Sequence, residues 1–153
     1  MDFRFIGTLT GDDAVSVVKD VKAGAAATIA PGDLVIPDDG NAGYVRKVAD
    51  GEVSTAAIRV YYAVSTSTDT AGADGTVKLL YAPNMVLQGT ATTAANLVQA
   101  VIDTKVTVDV TAGVITIDEN DTTNGFLRIK RPQGGAANFD TTNGLNVEVI
   151  CNE

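Results

Sequence analysis

Between positions 105 and 130 the chain reads KVTVDVTAGVITIDENDTTNGFLRIK, and no other stretch limits the fold as much. Three apolar runs at strand period stand in it: Val106, Val108, Val110; then Val114, Ile115, Ile117; then Phe126, Leu127, Ile129. Ala112-Gly113 separates the first two runs, and DENDTTNG, residues 118–125, separates the second from the third. Alternating β-branched residues interrupted by Asn, Asp and Gly predict an antiparallel three-strand meander with one face on a core and the other in water. A β-rich fold follows, without any indication of chemistry.

The remaining segments extend that pattern. Residues 14–22 (AVSVVKDVK) predict a strand, Leu34-Val35-Ile36 a short buried one after the Pro31-Gly32-Asp33 turn, and 44–49 and 57–64 two more around Asp50-Gly51. Residues 76–82 (TVKLLYA) and 84–88 (NMVLQ) are strands on either side of Pro83, and 145–151 (LNVEVIC) closes the chain. Residues 65–75 and 131–144 are long polar loops. The one helix candidate is 92–102, with Thr92 or Thr93 as cap and Ala94, Leu97, Val98 and Val101 at helical spacing. Eight to ten short strands and one short helix predict a mainly β domain, a compact β-sandwich or barrel-like body.

Residues 1–13 (MDFRFIGTLTGDD) hold two of the four phenylalanines, followed by a polar turn. They are either a first strand of the domain or an N-terminal arm that adds as a strand to a partner's sheet, with 14–153 as a single β-rich domain. As an arm, Phe3, Phe5 and Ile6 are the anchor and Arg4 the polar contact. Removal of residues 1–6 is then expected to weaken binding while leaving the domain folded.

With 153 residues there is material for one domain with a real core. Nineteen acidic against 11 basic residues give a net charge of −8, which argues against a nucleic-acid footprint. No apolar run approaches the roughly 20 residues of a membrane span. No basic n-region precedes an apolar h-region, so synthesis in a reducing cytosol is expected.

Candidate chemistry is sparse. There is no histidine, which removes Ser/His/Asp, Cys/His and zinc–histidine sites. The single cysteine, Cys151, reads as a packed hydrophobe and excludes an intrachain disulfide. The acidic turn Asp118, Glu119, Asn120, Asp121 fails the EF-hand spacing, because Gly125 stands at loop position 8. The sequon Asn120-Asp121-Thr122 reads as chance, and Gly134-Gly135 has no strand-to-helix context for a phosphate loop. Arg46, Lys47 and Arg59 are the nearest approach to a basic patch and read as strand-face charges with acidic partners. No catalytic, cofactor-binding or metal-binding residue is indicated, and no enzyme is expected.

The segment order TIAPGDLVIP, GYVRKVADGEVS, GTVKLLYAPNMV and TVDVTAGVITIDENDTTNGFLRI, after a short N-terminal arm, resembles the small β-rich decoration (cement) proteins of tailed-bacteriophage capsids. The likeness extends from about Asp2 to Ile129 and is one of style and spacing. The helix candidate and the 131–144 loop match no feature of that family. The resemblance implies a structural virion protein on the outer capsid surface, made in the bacterial host cytoplasm. It implies a homo-oligomer, a trimer in preference to a dimer, that clamps adjacent major capsid protein subunits and stabilises the head. Phe3, Arg4, Phe5 and Ile6 are then the capsid-binding residues, with no cofactor, nucleic acid or membrane involved. The alternative is a carbohydrate- or cell-surface-binding β-module of a phage fibre or appendage, which needs exposed aromatic rings. Tyr44, Tyr61, Tyr62 and Tyr81 are the only tyrosines, and adjacent Tyr61 and Tyr62 face opposite sides of a strand.

Overall fold

A computed structural model describes residues 3–25, 27–52, 59–123, 125–132 and 147–153. Two β systems are packed against each other. Strands β1 (Phe3–Thr8), β7 (Met85–Gly89), β8 (Lys105–Thr111), β9 (Val114–Asp118), β10 (Leu127–Pro132) and β11 (Val147–Cys151) form a six-stranded sheet in the order β1-β7-β11-β10-β8-β9. Strands β2 (Val15–Val21), β3 (Leu34–Pro37), β4 (Tyr44–Lys47), β5 (Tyr61–Ala63) and β6 (Gly75–Tyr81) close a barrel in the order β2-β4-β3-β5-β6. Every pairing is antiparallel except β2 with β4, a short parallel seam at Asp20–Tyr44 and Val21–Val45.

Period-2 alternation explains how one barrel wall serves two cores. On β3, Val35 points into the barrel while Leu34 and Ile36 face the sheet. On β5, Tyr61 and Ala63 fill the barrel and Tyr62 joins the larger core between barrel and sheet. The sheet answers with Met85 and Leu87, Val106 and Val108, Ile115 and Ile117, Leu127 and Ile129, and Val147 and Val149. Both faces of β3 and β5 are therefore buried, as expected of the Leu34-Val35-Ile36 strand.

Two expectations are corrected. The β8–β9 hairpin forms as read, its two-residue turn carrying Ala112 at φ 53° and Gly113 at φ 84°, the paired positive angles that suit strand twist. The third strand, however, does not continue a meander, because β10 pairs with β8 and not with β9. The outer edge of β9 is already taken: Ile117 donates its N–H to Thr90 O and accepts from Thr92 N, at 2.8 and 2.9 Å. The chain crosses instead to the free side of β8, passing so close at Gly125 that a Cβ there would meet Val106 N at 2.3 Å.

The helix expected over 92–102 is absent; only two 3-10 turns form, Ala94–Asn96 and Gln99–Val101. The bonds to Ile117 draw residues 90–92 into extended backbone, and the buried Glu119 carboxylate takes the Thr93 N–H and the Asn96 amide. The remaining residues are too few to repay helix nucleation. Among the described residues there are eleven strands, and the expected strand at 57–64 is present only as β5, positions 57 and 58 lying outside the description. Most of the 131–144 loop also lies outside it.

Candidate partner-binding surface

Residues 3–8 of the segment 1–13 read as an arm form β1 at one edge of the sheet, with β7 as the only strand neighbour among the described residues. Phe3 is fully buried. Its ring occupies the space a side chain at position 89 would take: a Cβ on Gly89 would lie 2.6 Å from Phe3 Cε1 and 2.8 Å from Ile117 Cδ1. Gly89 is thus the seat of Phe3. The Phe3 N–H donates to Gly32 O at 3.0 Å, and the Phe3 carbonyl accepts from the Tyr62 hydroxyl at 3.3 Å. This end of β1 is tied to the barrel.

The four candidate residues consequently separate. Phe3 belongs to the core; Phe5 is half-buried with its ring centroid 6.2 Å from that of Tyr62. Arg4 is exposed, and Ile6 is 43% exposed. Ile6 is also the extra residue of a β-bulge, since Phe5 pairs with Leu87 and Gly7 with Val86. Only Arg4 and Ile6 are presented to a partner in this arrangement. Leu9, just beyond the strand, is 44% exposed and adds a third surface group that the sequence reading did not single out.

Elsewhere, side chains that suggest chemistry are occupied. Arg46 bonds Glu52 at 2.8 Å and Asp39 at 3.2 Å. Lys47, nearly buried, bonds Asp33 at 2.9 Å and donates to Gly113 O at 2.7 Å, so it links the barrel to the β8–β9 hairpin. Arg59 lies over the Tyr81 ring at 5.0 Å, and Lys22 over the Tyr44 ring at 5.1 Å. Tyr61 and Tyr62 are buried. Tyr44 and Tyr81 are half-buried, each with a cation over one ring face. Tyr44 donates to Asp74 at 2.6 Å and the Ala23 N–H at 2.8 Å, which together hold the Asp74 carboxyl below the usual range. In the acidic turn, Asp118 Oδ1 accepts the Asn120 and Asp121 N–H groups, so that carboxylate is used within its own turn. Burial pushes the Cys151 thiol far above its ordinary range, away from the reactive thiolate.

A cavity of about 480 Å³ opens where β2 leaves β4, walled by Ala25, Ile29, Val45, Val48 and Val110 with Lys22 and Arg46 at its margin. Asp38, Asn41 and Lys47 line it as well, and these polar groups are engaged: Lys22 with Asp74, Arg46 with Glu52, Lys47 with Asp33, and Asn41 with Asp38. Among the described residues no group of three or more His, Cys, Asp or Glu is placed to hold a metal ion. No protein-family model matches the chain, and no curated protein and no solved structure matches it.

Proposed function

We propose that this chain is a structural decoration protein of a tailed-phage head, binding the outer capsid surface and clamping adjacent major capsid protein subunits. The observation that carries the reading is the uneven treatment of strand edges. The barrel is closed and β9 is bonded at Ile117 to residues 90–92, whereas among the described residues no strand pairs with the outer side of β1 beyond Phe3, whose N–H and carbonyl go to Gly32 and Tyr62, and that side is flanked by the exposed side chains of Arg4 and Ile6. The bulge at Ile6 and the charge of Arg4 limit indiscriminate edge pairing and leave this side to a partner that fits them. An extended segment of a capsid subunit laid along β1 gains main-chain bonds for affinity, with Arg4 and Ile6 supplying selectivity. Several such contacts made at once by an oligomer multiply a modest single affinity. The carbohydrate reading has the half-buried rings of Tyr44 and Tyr81 to rest on, each with a cation over one face, while Tyr61 and Tyr62 are buried.

Co-sedimentation with phage heads stripped of their minor proteins tests this. Saturable binding at a fixed ratio to the capsid subunit is expected, reduced in the double variant Arg4→Glu, Ile6→Asp whose circular dichroism stays native. Absence of binding to both expanded and unexpanded heads overturns the reading.

A further inference from the structure

The β2–β4 ladder breaks at a defined point, and the cavity beside β4 begins there. The Asp38 N–H donates to Tyr44 O at 2.9 Å and the Val48 N–H to Leu34 O at 3.1 Å, so the main-chain groups of Tyr44, Arg46 and Val48 face β3. Those of Val45 and Lys47 face the other way, toward β2, because the direction alternates along a strand. Val45 meets Val21 there, the last pair of the seam. The next acceptor in line for the Lys47 N–H is Lys22 O. That oxygen takes the Ala25 N–H at 3.1 Å as the chain turns away, and the Gly24 N–H goes to Thr70 O. The Lys47 N–H is thus turned to the space that opens between β4 and the chain following β2. This space has a floor and a mouth. Ile29, Val45 and Val48 are at most 4% exposed, whereas Ala27, Ala49 and Gly113 are exposed. Its apolar lining is aliphatic, with no aromatic ring among the described residues.

We infer that this cavity binds a neutral small molecule with an aliphatic body and one hydrogen-bond-accepting oxygen, such as a ketone or an ester, whose oxygen takes the Lys47 N–H. Its volume of about 480 Å³ falls within the range of small-molecule sites, roughly 300–1,000 Å³. The aliphatic floor favours an aliphatic body, which leaves water together with the walls it covers. One main-chain donor calls for one acceptor. The charges around the margin exclude an ionic ligand. Lys22, Arg46 and Lys47 stand there against Asp33, Asp38, Asp39, Glu52 and Asp74, an acidic balance that repels an anion. A cation brings only donors, and the carboxylates that could receive them are already paired. A partner strand fits less well than a small molecule, because it needs a row of alternating donors and acceptors. The next outward-facing residue, Ale49, has none to give: its N–H goes to Glu52 Oε2 and its carbonyl takes the Glu52 N–H, both at 3.2 Å. The barrel is therefore closed to a strand at this seam and open to a single polar atom. The inference is independent of the capsid reading, and its test uses no capsid.

The test titrates the isotope-labelled full-length protein with three probes of one shape, cyclohexanone, cyclohexanecarboxylate and cyclohexylammonium, and follows the backbone amide signals by NMR. Cyclohexanone is expected to give saturable shifts at Val45, Lys47, Val48 and Val110, with the Lys47 amide proton moving downfield as it gains an acceptor. The carboxylate and the ammonium are expected to bind about tenfold more weakly or worse, because each carries a charge into a site with no free counter-charge. Ala27→Trp, at the exposed mouth, places a ring over the opening and is expected to weaken cyclohexanone binding by about tenfold or more, with circular dichroism unchanged. The comparison of probes uses the unaltered protein and decides the matter even where that variant does not fold. Shifts that fail to saturate, that fall elsewhere, that persist undiminished in a folded Ala27→Trp protein, or that either ion reproduces at equal affinity overturn the proposal.

Discussion

The barrel returns β6 to β2 over seven residue pairs, from Val15–Tyr81 to Val21–Gly75, and so presents no terminal strand. The six-stranded sheet stops at β1, whose ladder to β7 has five pairs and a bulge. The sheet holds that end by burying one aromatic ring, the barrel by hydrogen-bond closure. A closed ladder has no main-chain groups left for a partner, whereas an edge secured by a side chain keeps one side of its backbone free. The capacity to associate is therefore expected in the sheet, and the barrel acts as the body against which the sheet packs. The thinner seams of the barrel lie elsewhere, at β2–β4, β3–β5 and β5–β6 with two residue pairs each.

The sharpest way to break this contrast is Phe3→Ala. It empties the Gly89 seat and is expected to destabilise by about 3–5 kcal/mol, read as a lowered urea midpoint with an unchanged slope. Deletion of residues 1–6 should act in the same direction. The same measurement tests the expectation of an arm, which a deletion protein of undiminished stability would support.

Lys47→Ala tests the link between the two halves. It takes the ammonium from the Asp33 carboxylate, whose side chain is 4% exposed and which also accepts the Ala30 N–H at 2.7 Å, and a loss of about 3–5 kcal/mol is expected. Lys47→Met combined with Asp33→Leu should recover most of it in the same denaturation assay. Recovery would assign the loss to an unpaired buried charge, while its failure would assign it to the Gly113 contact.

Asn152 joins the halves differently. Its side chain accepts from Val60 N at 2.8 Å and donates to Val60 O and Ala82 O at 2.8 and 3.1 Å, acting as a neighbour for backbone that no strand pairs. Asn152→Ala leaves these groups unsatisfied and should lower stability by about 1–3 kcal/mol, with faster amide exchange at Val60.

The smallest effect is expected at Glu153. The Arg128 guanidinium, 2.7 Å away, holds its carboxyl below the usual range. Because the folded-state value lies below the unfolded one, the contribution is complete above the ordinary glutamate range and disappears as pH falls through the depressed value. The pair is partly solvated, so Glu153→Gln should lose no more than about 1 kcal/mol near neutral pH and should flatten the acid limb of a stability–pH profile.

The sequence by itself determined the strands wherever period 2 met strong turn chemistry. Val106 to Ile117 with Ala112-Gly113, Leu34-Val35-Ile36 after Pro31-Gly32, and 76–82 before Pro83 all lie where local preference placed them. Local energetics suffice there because a register slip would turn every apolar side chain into water. Tertiary structure alone decided which strands are neighbours. The β10–β8 pairing follows from the occupied outer edge of β9, a contact between positions far apart in the chain. The 92–102 segment had helical spacing and lost its helix to bonds from Ile117 and Glu119. The candidate surface was half legible: the cluster Phe3, Arg4, Phe5, Ile6 stood out by composition, but which of its members face water depended on the absent side chain at Gly89. A glycine whose role is to leave room for a distant ring carries no local signal, and only the packed structure shows what the room is for.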